Sequence, residues 1–386
     1  MPNPIIFNAD GGALTGANVG EKLMAANFEA GALRPFVHNG KAYVTVNGVG
    51  VPANNNATLT RDEWKQFDDV IIKAFQADLT FVKSIKAAGL TYKLPNPLGK
   101  TILEHQNMSN AITAKISMDA NVQDSGDTPE IGTGSIPIPI ISSGFNIDMR
   151  TLASSRNSQV PLDTTNQEFA ARANAVFLEN QTLFGNGAIT DTQKLTSDFS
   201  DAAVRLANRY TYGAQTIDGI FTYESAVEYN MANDWLLVAT TGKQILSDTI
   251  LMKQELAEQG YGGDAKLSLP SYLQAKLSED YKSSESSSTM SILNRLQMIQ
   301  GLTIEFVESI GRITPATGGT QYINLCMVAM RSDVIRMIDG FDSMLVQWDS
   351  QGGMNTNYRI LTIQVPQLRT RQAGDCGVVR GYFLRA

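Results

Sequence analysis

Apolar side chains between residues 60 and 89 recur at helical spacing: Trp64, Phe67, Ile71, Phe75, Val82 and Ile85. Such a stripe predicts an amphipathic helix with one buried face. Thr60-Arg61-Asp62-Glu63 reads as a capping box at its start, the hydroxyl and carboxylate each satisfying a free backbone N–H. Gly89 suits its C-terminal stop. Further on the period changes to two. Ile112-Thr113-Ala114-Lys115-Ile116-Ser117-Met118 alternates like a strand, and Asp124-Ser125-Gly126-Asp127-Thr128-Pro129 is rich in turn formers. Ile136-Pro137-Ile138-Pro139-Ile140-Ile141 is extended, and its prolines exclude a central strand but suit an edge or a free ribbon. Together these segments predict a long two-stranded hairpin over about 106–144. A hairpin alone in water is marginal, so it must lie on something else, and a neighbouring subunit is the natural candidate.

Phe145 to Arg150 alternates again. A second helix follows, with Thr165-Asn166-Gln167-Glu168 as its capping box and Gly185-Asn186-Gly187 as its stop. Phe169, Ala173, Val176, Phe177, Leu183 and Phe184 are its expected apolar face. At about 19 residues it spans about 28 Å, long enough to act as a spine. Between about 189 and 350 short elements mix. Helices are expected over 245–258, 271–277 and 291–299, and strands over 302–307, 322–330 and 344–348. Ser283 to Thr289 reads as a loop tip, and the whole stretch as one α+β domain. The chain ends in strands at 358–365, a break at Pro366, and 377–383. By contrast, residues 1–58 are polar and rich in Gly, Asn and Ala, with one strand-like stretch at Lys41 to Val46. They have too few large apolar residues for a core and read as an extended arm.

Composition narrows the function classes. The 386 residues are 43% hydrophobic and 18% charged, a strand- and loop-rich globular profile. The net charge is −7, and Lys and Arg are scattered singly, with no basic stripe to grip phosphates. Any nucleic acid would therefore be enclosed, without sequence-specific binding. Cys326 and Cys376 are expected as reduced thiols in or near the core. The first residues, Met1-Pro2-Asn3-Pro4-Ile5-Ile6, have no signal-peptide character, and no apolar run is long enough to span a bilayer. No membrane partner is expected, and the cytoplasm is the expected place of synthesis.

Catalytic chemistry finds little to stand on. There is no dinucleotide fingerprint, Walker A loop or nucleophile elbow. Gly260-Tyr261-Gly262-Gly263 and Gly352-Gly353 lack the following Lys-Ser/Thr and read as turns. The two histidines, His38 and His105, are far apart in sequence, and His105 reads as structural. No catalytic, metal or cofactor residues are expected, and no cofactor.

The order of elements resembles the Hong Kong 97-type fold shared by tailed-phage capsid proteins and encapsulins. Local phrases resemble that family too: Leu59 to Lys65, Ala88-Gly89-Leu90, Pro137 to Arg150, Leu162-Asp163, Ala170-Ala171-Arg172, Glu179 to Gly185, Gln347-Trp348 and Pro366-Gln367-Leu368-Arg369. The resemblance implies an α+β Hong Kong 97-like capsid fold with an N-arm, an E-loop hairpin, a P-domain with a long spine helix, and an A-domain. The expected divisions are the arm at 1–58, the first part of the P-domain at 59–105, and the E-loop at 106–144. The P-domain with the spine helix takes 145–220, the A-domain 221–350, and returning C-terminal strands 351–386.

The resemblance implies a non-enzymatic major capsid protein of a bacteriophage virion, an icosahedral shell around double-stranded DNA assembled in the host bacterial cytoplasm. Its partners would be many copies of itself as pentamers and hexamers, with scaffolding, portal and decoration proteins. The first 58 residues do not read as a long helical scaffold, so scaffolding is expected from a separate protein. Asp124, Ser125, Gly126 and Asp127, at the E-loop tip, would make assembly contacts. The alternative is an encapsulin-like bacterial compartment shell housing an enzyme cargo.

Overall fold

The computed structural model describes residues 36–38, 41–46, 49–52, 61–108, 118, 131–148, 150–151, 164–281, 290–311, 321–350, 355–370 and 375–385. The expected hairpin-tip residues Asp124, Ser125, Gly126 and Asp127, the strand-like 112–117 and the serine-rich 283–289 lie outside the described residues.

Within the first segment, β1 (Phe36–His38), β2 (Lys41–Val46) and β3 (Val49–Pro52) form a small antiparallel sheet. The predicted helix of 60–88 is two helices, α1 (Arg61–Asp78) and α2 (Phe81–Ala87). The buried face is as the spacing predicts: Phe67, Ile71, Phe75, Val82 and Ile85 are all buried. The break at Leu79-Thr80 has a tertiary cause. The Glu179 carboxylate accepts from the backbone N–H groups of Phe81 (2.6 Å) and Val82 (3.2 Å) and from the Thr80 hydroxyl (2.8 Å). It thereby satisfies free donors that a new helix start exposes. At the far end Gly89 takes φ +71°, a left-handed stop.

Strand β4 (Thr91–Lys93) follows, then β5 (Ile102–Met108) and β6 (Ile131–Pro137), which pair antiparallel as a two-stranded ribbon. The described arms of the hairpin therefore begin earlier than the alternation at 112–118 indicates, and β6 ends at Pro137. Pro139 falls in the gap before β7 (Ile141–Asp148), which leaves the ribbon for another sheet.

Helix α3 (Thr165–Phe184) is 20 residues long and stops at Gly185, whose φ is +80°. Thr164 takes the cap position without a side-chain cap bond and Thr165 is already helical, so the expected capping box starting at Thr165 does not form. The expected apolar face is also corrected. Phe169 is 61% exposed and Val176 39%, whereas Gln167, Asn174, Glu179, Asn180, Gln181 and Thr182 are buried with Ala171, Leu178, Leu183 and Phe184. Several of these buried polar residues hold specific bonds, as Asn174 Nδ2 donates to the Ile360 carbonyl (3.1 Å) and Thr182 to that of Leu178 (2.9 Å), whereas neither amide atom of Gln167 has a partner.

The remaining elements in chain order are α4 (Asp191–Thr196), α5 (Ala202–Ala207), β8 (Tyr210–Tyr212), β9 (Gln215–Ile217), β10 (Val227–Asn230), α6 (Gly242–Glu258), β11 (Ala265–Pro270), α7 (Leu273–Leu277), α8 (Ile292–Gln297), β12 (Leu302–Val307), β13 (Gln321–Ala329), β14 (Ile335–Ser350), β15 (Asn355–Leu368) and β16 (Val378–Arg385). They build a five-stranded sheet in the order β10-β16-β13-β11-β12 and a four-stranded sheet in the order β4-β14-β15-β7. β8 and β9 pair separately. The five-stranded sheet is mixed: β11–β12 and β10–β16 are parallel, and β13 is antiparallel to β11 and β16.

β15 does not break at Pro366. Its partner β7 ends at the Thr362–Ile141 pair, so beyond it one edge of β15 has, among the described residues, no strand to receive an N–H, and proline fits. Both cysteines are buried free thiols, as expected. Burial pushes Cys326 up to about 12 and Cys376 up to about 11.

Candidate functional site

The hairpin is anchored at its base. Ile138, with the partly buried Leu103 and Ile136, packs against Ile338, Ile363 and Val365 of the four-stranded sheet and Ile217 of β9. The ladder runs from Ile102–Pro137 to Met108–Ile131, and the Ile138 N–H continues it to the Thr101 carbonyl at 2.8 Å. His105 stands opposite Gly134, and its ring fills the space a side chain there would need; a Cβ would lie 2.6 Å from Cε1 and Nε2. Glycine at 134 is therefore required for the ring to lie across the ribbon.

Beside His105 is a cavity of about 200 Å³ whose other wall includes Asp218, Tyr223, Arg369 and Thr370. Burial, and then the charges of Arg369 and Arg336, hold the His105 imidazole below its ordinary range. Asp218 is shifted upward by burial, with Arg209 at 2.9 Å opposing the shift.

The second feature is the outer face of α3. Phe169, Ala173 and Val176 are exposed, and Ile140 of the preceding chain is 50% exposed beside them. Between α3 and the start of β7 lies a cavity of about 360 Å³ lined by Ile140, Ser143, Ala173, Phe177, Gly187 and Tyr210. The helix is held on its sheet by the Asn174–Ile360 bond and by Ser143 Oγ donating to the Ala170 carbonyl at 2.8 Å. Further exposed apolar residues are Leu237 and Val238 before α6, Leu251 in α6 and Met298 just after α8. Contiguous exposed apolar surface marks interaction sites more often than isolated apolar residues do.

Among the described residues no group of three or more His, Cys, Asp or Glu could hold a metal ion. No described helix is long and apolar enough to cross a membrane. The sequence treats His105 as structural; Arg336 lies in β14 and Arg369 just after β15, both distant in sequence, so no local spacing could have signalled the group. Phe169 and Val176 are identified as apolar from the sequence but assigned to the core, because periodicity does not say which side of a helix is covered.

The geometry defines an α+β fold related to the Hong Kong 97-type capsid folds. The chain aligns with the virus-like particle from Pyrococcus furiosus at 12% identity and a TM-score of 0.52, covering 82% of this chain and 98% of that one. It aligns with the capsid of Myoviridae Phage XM1 at 13% identity and a TM-score of 0.51, covering 74% and 86%. No curated protein matches it. By sequence, the chain belongs to DUF6260, a family of unknown function, whose pattern matches residues 54–365.

Proposed function

We propose that this chain is a major capsid protein of a tailed bacteriophage, self-assembling into an icosahedral shell that encloses double-stranded DNA. Fold alone does not assign function. The observation that carries the reading is the two-stranded ribbon of β5 and β6, paired to no third strand among the described residues and anchored to the sheet at its base. Such a ribbon needs a surface to rest on. The exposed apolar stripe of α3 supplies one on a second copy.

In this reading the ribbon is the E-loop, α3 the spine helix of the P-domain, and the segment of the five-stranded sheet the A-domain. The A-domains meet as pentamers and hexamers, and residues 1–58 reach across to a neighbour as the N-arm. Asp124, Ser125, Gly126 and Asp127 make contacts at the E-loop tip. The role is structural, without catalysis. Scaffolding, portal and decoration proteins are the further partners, and assembly takes place in the host cytoplasm. Each contact can be modest, because many act together.

A second reading is a non-viral compartment shell holding an enzyme cargo; the alignment over 98% of the Pyrococcus furiosus virus-like particle chain fits a shell of either kind. Electron microscopy and content analysis of isolated particles separate the two. Shells filled with DNA and bearing a tail vertex support the first reading. Shells packed with a second protein and free of genome contradict it.

A further inference from the structure

We propose that the cavity between His105 and Arg369 is an oxyanion site that takes one carboxylate or phosphate group and ties the hairpin base to the four-stranded sheet. One wall belongs to the hairpin, with His105 and Ser135, and the other to the end of β15 and its surroundings, with Arg369, Thr370 and Tyr223. His105 Nδ1 is buried and has no hydrogen-bond partner. A buried polar atom left in this state is costly.

The charge balance points the same way. Among the described residues no carboxylate lies within salt-bridge distance of Arg369 or Arg336. Arg336 is held over the Tyr92 ring, 4.7 Å from its centroid, and donates to Gln367. The one carboxylate in the cavity wall, Asp218, already faces Arg209 at 2.9 Å. Among the described residues Arg369 is thus the one guanidinium in the cavity wall, where Tyr223 and Thr370 add hydroxyls, while Arg209 is shared between Asp218 and Glu224, the latter at 3.8 Å.

Half-buried guanidinium groups form their strongest bonds with carboxylate and phosphate oxygens, through charge-assisted donation. A cavity of about 200 Å³ fits one such group and is too small for a drug-sized ligand. An anion bonded at once to His105 and Arg369 would join the hairpin to the end of β15.

The source of the oxyanion is either free phosphate or an acidic side chain of a second copy, and the test separates them. Unassembled full-length subunits are dialysed to equilibrium against labelled inorganic phosphate in phosphate-free buffer, with acetate as competitor. We expect saturable binding of a single phosphate, displaced by acetate. Arg369→Gln weakens it by about tenfold or more, the scale of a lost charge-assisted bond. His105→Gln, a second variant that leaves the arginines in place, weakens it by several-fold. Circular dichroism confirms that each variant is folded.

Absence of saturable binding to wild-type subunits, or equal binding by Arg369→Gln, overturns the proposal. Given binding to subunits, the same site open in assembled particles identifies free phosphate as the occupant. The site closed in particles identifies a neighbour's carboxylate. Only this last comparison rests on the shell reading; binding to free subunits stands without it.

Discussion

The Glu179 carboxylate sits 2.6 Å from the backbone nitrogen of Phe81, so the long helix α3 caps the short helix α2. The start of α2 depends on this contact, because Glu179 is fully buried and holds three donors at once. Replacing it with Ala leaves those donors without their acceptor inside the core. Glu179→Ala should cost about 3 kcal/mol, because each buried donor left unsatisfied costs about 1–3 kcal/mol. Urea unfolding of unassembled subunits measures it; a loss under 1 kcal/mol would mean the cap contributes little.

The same residue gives the stability a pH slope. Burial is the largest influence on Glu179 and raises it from the ordinary 4.5 to about 7, while the N–H donors of Phe81 and Val82 and the Thr80 hydroxyl pull it down. Between those values the folded chain binds more protons than the unfolded one, so stability is greatest at the acid end and falls as pH rises. From pH 5 to pH 8 the wild type should lose about 2 to 3 kcal/mol relative to Glu179→Gln, which cannot ionise. Parallel pH profiles for the two proteins would contradict it.

A second buried carboxylate holds the mixed domain. Trp235 is fully buried and its indole N–H donates to Asp248 Oδ2 at 3.0 Å, with Asn233 on the same carboxylate. Asp248→Ala leaves that N–H unsatisfied and should cost about 2 to 3 kcal/mol. Asp248→Asn keeps an acceptor and should cost less. The order of the two denaturation midpoints is the check, and equal midpoints would rule out this role.

Gly185 ends α3 at φ +80°, and a Cβ there would meet the Ile217 carbonyl at 2.7 Å. Gly185→Ala is both strained and crowded. It should destabilise by about 2 kcal/mol, whereas Gly89→Ala, with the same sign of φ but open space, should lose only the strain. Thermal unfolding of the pair distinguishes crowding from conformation.

The two thiols are shielded by burial and shifted away from thiolate. A colorimetric disulfide reagent at pH 8 should therefore titrate no thiols in the native protein and both after denaturation. Rapid reaction of native protein would place one of them at the surface.

How much of this was legible in the sequence depends on what each element rests on. Strand β12, over Leu302–Val307, is found where local pattern alone predicts it, and Gly89 and Gly185 stop their helices as expected. The two-helix break was not legible, since its cause is a carboxylate contributed by a distant helix. The buried face of α3 was misread because periodicity counts apolar residues, whereas Gln167, Asn174 and Glu179 are buried and Phe169 is not. Pro366 suggests a break only if the strand has neighbours on both sides there, and pairing is not written locally. The cluster of His105 with Arg336 and Arg369 is likewise a product of the sheet.

The reading as a shell subunit is tested most directly by electron microscopy of the full-length protein recovered from cells that make it. The account predicts closed shells of regular size, with the ribbon of β5 and β6 from each subunit lying over a neighbour. A chain recovered only as a monomer or small open oligomer, with the ribbon folded back on its own α3, would contradict it.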